Sequence, residues 1–98
     1  MEQSADLKPE RLKKYLDRRF VDGEALGNAA VNRDGSEIRE ISHRIKGNAA
    51  LYGFADLGLL SGRIVREVER SSVDWIQVEN LISDFKNHVR AKLSEIKF

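Results

Sequence analysis

An all-α fold, an antiparallel up-down four-helix bundle, follows from three features of this 98-residue sequence. Apolar residues recur every three or four positions in four separate stretches. No stretch sustains the two-residue alternation of a half-buried strand. The single proline, Pro9, stands near the start, where it can open a helix without breaking one. Short connectors between such helices favour antiparallel neighbours.

The first helix follows Pro9 and carries Leu12, Leu16, Phe20, Leu26 and Ala30 on one stripe. Gly23 and Gly27 either weaken it or permit a close approach. The run Asn-Arg-Asp-Gly-Ser-Glu at 32–37 breaks the pattern, and Asp34 can cap the second helix with Glu37 as its reciprocal partner. That helix carries Ile38, Ile41, Ile45, Ala49 and Tyr52, and Gly53 is a natural stop. The third runs from about Ala55, with Leu57, Leu60, Ile64 and Val68 on one face. Ser71 is the expected cap of the fourth helix, with Asp74 in its first turn and Trp75 as a packing anchor. The fourth helix carries Val78, Ile82, Phe85, Val89, Leu93 and Ile96. Residues 1–98 read as a single domain, without repeats or low-complexity linkers.

Composition narrows the function. Seventeen Lys and Arg against 16 Asp and Glu give a net charge of +1, which supplies no general drive toward nucleic acid or an anionic membrane. Cysteine is absent, which excludes disulfides and thiolate metal sites. No apolar run has the length of a membrane span, and the polar lead-in from Met1 has no signal-peptide core. The expectation is a cytoplasmic, stand-alone, monomeric protein. His43 and His88 are too few for a metal site. No phosphate-cradling glycine loop or activated nucleophile points to an independent enzyme.

The segment Ser-His-Arg-Ile-Lys-Gly at 42–47 places a histidine, a lysine and a glycine within one helix, although a mid-helix glycine costs about 1 kcal/mol relative to alanine. With ~100° per residue and His43 at zero, Ile41, Ile45 and Tyr52 fall at ~160°, ~200° and ~180°, so His43 points away from the core. Lys46 and Gly47 fall about 60° to one side and about 40° to the other, with Ala50 close to the His43 meridian. An outward imidazole is a nucleophile near neutral pH. The bare position at Gly47 leaves room for a bulky group, and the Lys46 ammonium can balance an anion. These residue types at this spacing suit a histidine that accepts a phosphoryl group. His88 lacks such neighbours and reads as a structural or surface histidine.

The same residues resemble a known signature. His43, Lys46, Gly47 and Gly53 fit the H-x-x-K-G-x-x-x-x-x-G pattern of histidine-containing phosphotransfer (HPt) domains, and residues 41–57 look like that family's central segment. The resemblance implies a relay module of two-component signalling that shuttles phosphoryl groups to or from receiver-domain aspartates, or takes them from a histidine kinase. It implies His43 as phosphoacceptor, Lys46 as charge stabiliser, Gly47 as the open approach and Gly53 as the helix stop. No cofactor of its own is implied; Mg²⁺ is expected on the partner receiver. The family often has a polar side chain on the next helix that orients the imidazole. Val65 stands at the matching position, which leaves Ser61, Arg66 or water for that task.

Arg39, Arg44, Lys46, Ala50 and Leu51 are the expected partner contacts, with Arg63 and Arg66 adding to a basic face that helps encounter with an acidic receiver site. Two other readings stand beside this one: a helical docking module that carries no phosphate, and a phosphoacceptor domain cut from a larger histidine kinase. A DNA-binding helical domain is disfavoured by the near-zero net charge.

Overall fold

The computed structural model describes residues 8–96. The expectation drawn from the polar lead-in at Met1 lies outside them. The chain forms four helices: α1 (Pro9–Val31), α2 (Gly35–Asn48), α3 (Ala55–Val68) and α4 (Trp75–Glu95). Among the described residues there is no strand, and no helix is long and apolar enough to cross a membrane.

Pro9 opens α1 after an extended Lys8, as its fixed φ and missing N–H allow. At the other end the N–H groups of Asn32, Arg33 and Asp34 bond back to Asn28, Ala30 and Ala29. Arg33 takes a left-handed φ of 53° there, an uncommon conformation for a side chain with a Cβ. Its guanidinium compensates: it donates to the Ala30 carbonyl at 2.7 Å and to Glu79 at 3.1 Å, and lies 5.2 Å from the Trp75 ring centroid.

Asp34 caps α2 by accepting the Glu37 N–H at 3.1 Å. The Asp34 N–H is already given to Ala29 at 2.8 Å, so Glu37 makes no reciprocal bond and the expected capping box is half formed. Asp34→Ala is expected to cost about 1 kcal/mol, which a urea melt would read as a lower midpoint at unchanged slope.

The structure moves two other boundaries. The second helix does not run evenly to Gly53: α2 ends at Asn48 and tightens into a 3₁₀ turn over Ala49–Tyr52. Gly53 closes that turn at φ 86°, a conformation open to glycine at little cost. Asp74, not Ser71, caps α4 and accepts the Gln77 N–H at 3.1 Å. The nearly buried Glu67 decides this, because its carboxylate accepts the Asp74 N–H at 3.3 Å and pairs with Arg70 at 3.2 Å. The chain is thereby held through Ser71 and Ser72, and Trp75 starts the helix against the core.

α1 packs against α2 and α4, and α3 packs against the same two helices. Phe85, Leu16, Leu26, Ile38, Ile45, Leu57 and Ile64 fill the space between them and are fully buried. A Cβ at Gly23 would stand 2.9 Å from Lys86 Cγ, so the missing side chain lets the Lys86 stem cross α1 and reach Glu24 at 3.4 Å. Phe20 departs from the expected stripe: it is 36% exposed, with the Arg90 guanidinium 5.8 Å from its ring centroid. Tyr15 is buried instead. It stacks on Tyr52 at 4.0 Å and packs beside Phe54 at 5.9 Å, its hydroxyl donating to Asn48 Oδ1. Burial raises the Tyr15 pKa, and the neighbouring Arg19 only partly counters this.

At the same end of the fold Asp56 accepts the Leu57 N–H at 3.0 Å and pairs with Lys92 at 2.7 Å. Burial alone would raise the Asp56 pKa; the Lys92 hydrogen bond and charge, the Leu57 N–H and His88 outweigh it, and the carboxyl lies below its ordinary value of 3.8. A depressed folded-state pKa contributes stability that is present above the unfolded value and lost as pH falls through the folded one. Asp56→Asn is therefore expected to lower the melting temperature at neutral pH. The gap between variant and parent should close as the pH drops below 3.8, as thermal melts across an acid series would show.

Candidate functional site

α2 is two-faced. Ile38, Ile41, Ser42 and Ile45 are buried, while His43, Arg44, Lys46 and Gly47 are exposed. The outward direction of His43 is thus fixed by the aliphatic spacing on the opposite face. A Cβ at Gly47 would meet nothing within 4 Å, so the space beside the imidazole, one turn further on, is open. Among the described residues the hydrogen-bonded histidine nitrogen belongs to His88, whose Nδ1 lies 2.8 Å from the Asp84 carbonyl oxygen. Its Nε2 lies 3.9 Å from Asp56, which makes His88 a surface structural residue.

Lys46 owes its position to a feature the sequence reading passed over. α3 carries glycine at positions 58 and 62, four apart on the side that faces α2. A Cβ at Gly62 would lie 3.6 Å from Lys46 Cδ and 3.7 Å from Cε, so the lysine stem lies across the bare backbone of α3. A Cβ at Gly58 would sit 3.6 Å from Ala49 Cβ and 3.7 Å from the Lys46 carbonyl oxygen. The Gly-x-x-x-Gly spacing, a pattern that lets helices approach closely, was the available signal.

The groups named for orienting the His43 ring fare differently. Ser61 is fully buried and its hydroxyl has no hydrogen-bond partner, so it does not hold the imidazole. Ser42 is in the same condition. Val65 is buried and apolar. Arg66 is exposed and lines a groove between α2 and α3 together with Lys46 and Arg63. That groove, about 530 Å³, has a floor of small residues including Ala50, Gly58 and Gly62, and Leu59 stands 72% exposed in its wall.

The expected partner contacts are distributed over two grooves beside α2 and one ion pair. Arg39 is engaged at 2.6 Å with Glu69, the residue that caps the C-terminus of α3. Ala50 and Lys46 belong to the α2/α3 groove. Arg44 and Leu51 line a second groove of about 630 Å³ between α1 and α2, with Leu51 69% exposed rather than packed under α1. α2 thus carries its exposed His43–Gly47 segment between two grooves whose lining cations are Lys46, Arg63 and Arg66 on one side and a set from α1 and Arg44 on the other.

Among the described residues no three His, Asp or Glu side chains come together in a way that could hold a metal ion. The arrangement offers an exposed imidazole with a cation on one flank, its stem laid across α3, and open space at Gly47 on the other. Comparison with protein-family models, with curated proteins and with solved structures finds no match to this chain.

Proposed function

We propose that this chain is a phosphotransfer module of the HPt type, an antiparallel up-down bundle whose His43 receives a phosphoryl group and passes it on. The observation that carries the reading is the empty space at Gly47, beside an exposed His43 and one residue beyond Lys46. The four-helix architecture and the pairing of α1 and α3 each with α2 and α4 support the bundle.

In the proposed step a partner presents an aspartyl phosphate. The lone pair on an unprotonated His43 nitrogen, taken as Nε2, forms the N–P bond. The P–O bond to the aspartate breaks, and its electron pair leaves with the carboxylate. The reverse step loads a second aspartate. Positioning and charge neutralisation carry most of the catalysis in such transfers, with Mg²⁺ supplied by the partner receiver and Lys46 steadying the phosphoryl oxygens. The module works as a cytoplasmic carrier and not as a stand-alone enzyme. The same chemistry would serve a phosphoacceptor domain of a larger histidine kinase.

A second reading, a docking module that carries no phosphate, draws on one observation: Val65 and Ser61 leave the His43 ring without the polar neighbour the family often uses. Treatment with phosphoramidate followed by intact-mass measurement separates the two. Gain of one acid-labile phosphoryl group supports the carrier; an unmodified mass with intact helical circular dichroism supports the docking module.

A further inference from the structure

The groove between α1 and α2 has a chemistry that the expected contact set did not include. Arg11, Lys14 and Arg18 recur at three- and four-residue steps, which puts them in one stripe along α1. Arg44 faces them from α2, and Arg19 completes the lining. Among the described residues no carboxylate lines this groove. Two acids of α1 are paired outside it, Asp17 with Lys13 at 2.8 Å and Glu24 with Lys86 at 3.4 Å, while Asp22 holds Arg19 of the lining at 2.8 Å and offsets that one cation. In a chain whose net charge is only +1, this is a local concentration of one sign.

The floor is built from stacked rings. Tyr15 and Tyr52 stack on each other at 4.0 Å, and Arg19 covers Tyr15 at 4.4 Å from its centroid. Tyr15, buried against these neighbours, thus offers no face on which a nucleobase could stack, the main device of single-strand recognition. At the rim stands Leu51, the exposed apolar side chain of the groove. Clustered cations around one apolar contact suit a protein surface, where charge steers encounter and a buried side chain anchors it.

We infer that the α1/α2 groove is the docking site for an acidic protein surface carrying an apolar side chain that meets Leu51, and that it seats the phosphate-exchanging partner beside His43. The partner's role rests on the phosphotransfer reading; the chemistry of the groove does not. Docking is assigned to this side because it gathers Arg11, Lys14, Arg18 and Arg44, besides the paired Arg19, against the three cations Lys46, Arg63 and Arg66 of the α2/α3 groove.

The test is an amide NMR titration of the full-length chain with a short peptide of glutamates and interspersed leucines, run at low and high salt. Expected shifts fall on residues 11–19 and 44–52. R11E/K14E/R18E weakens binding by about tenfold or more at low salt, and added salt weakens the parent far more than this variant. R63E/R66E leaves affinity within about twofold, as suits cations outside the docking contact. Shifts on the Arg63 and Arg66 side, binding that survives the triple reversal, or absence of binding would overturn the assignment. So would tighter binding of a single-stranded oligonucleotide or of phosphatidylglycerol vesicles at the same groove. Phosphoramidate loading of His43, measured in parallel on both variants, keeps the two ideas apart. A groove that binds while His43 stays unloaded removes the phosphotransfer reading alone, and a loaded His43 beside a silent groove removes the docking site alone.

Discussion

His43→Gln is expected to abolish phosphoryl loading completely while leaving the fold untouched. The first half follows from chemistry: a carboxamide has no ring nitrogen with a free pair, so no N–P bond forms. His88 is disfavoured as a substitute, because its Nδ1 bond to the Asp84 carbonyl leaves the free pair on Nε2, where the Asp56 carboxylate 3.9 Å away repels an incoming phosphoryl group. The second half follows from position. His43 is exposed and opposite the buried Ile41 and Ile45, and exposed substitutions away from caps and cores usually change stability by less than about 0.5 kcal/mol. The checks are intact mass after phosphoramidate treatment and a thermal melt of both proteins. A phosphoryl group that persists in the variant would move the modified residue elsewhere and end the assignment to His43. Lys46→Ala is the graded companion: it keeps the nucleophile and removes the cation, so loading slows without disappearing. Its stem also lies across Gly62, so a small loss of stability accompanies the change.

The parts of the fold that were legible in the sequence are those that local physics determines. Aliphatic spacing at Ile38, Ile41 and Ile45 sets the buried face of α2, and the exposure of His43 follows from it. Asp34 and Gly53 act where their backbone chemistry says they should. What the sequence concealed depends on partners distant along the chain. Ser71 and Asp74 are both competent caps, and the choice falls to Asp74 because Glu67 grips its N–H. Phe20 and Tyr15 both fit a helical stripe in α1, and Tyr15 is buried because Tyr52 and Phe54 offer it faces to stack against. Arg39 looked like a free cation until α3 brought Glu69 to it. Gly58 and Gly62 were visible as a spacing, but their effect on Lys46 depends on how α3 meets α2. The distribution of the site's cations over two grooves is likewise a tertiary property, set by how α1 and α3 meet α2.

Gly47 carries the sharpest test of the argument, because stability and function pull in opposite directions there. Gly47→Leu is expected to stabilise the protein by up to about 0.8 kcal/mol, since leucine is a better helical residue than glycine and Gly47 lies in the last turn of α2. That gain corresponds to a rise in melting temperature of roughly 3–6 °C for a domain of this size. No clash offsets it, because a Cβ at this position meets nothing within 4 Å. A helical leucine lies back over the turn that precedes it, and the residue four positions earlier is His43. The isobutyl group would therefore cover the imidazole on the side that Gly47 leaves open. Phosphoramidate, a small donor, still reaches the ring and loads it more slowly. A folded donor protein does not, and its transfer rate should fall by about a hundredfold or more, as for a reacting group displaced by an ångström or so. Gly47→Ala gains at least as much stability as the leucine variant and is only mildly slowed. If the position were merely a tolerated glycine on a solvated face, both variants would gain stability and keep their transfer rates. A more stable protein that has lost its partner chemistry is the outcome that ties the cost of this glycine to access at His43.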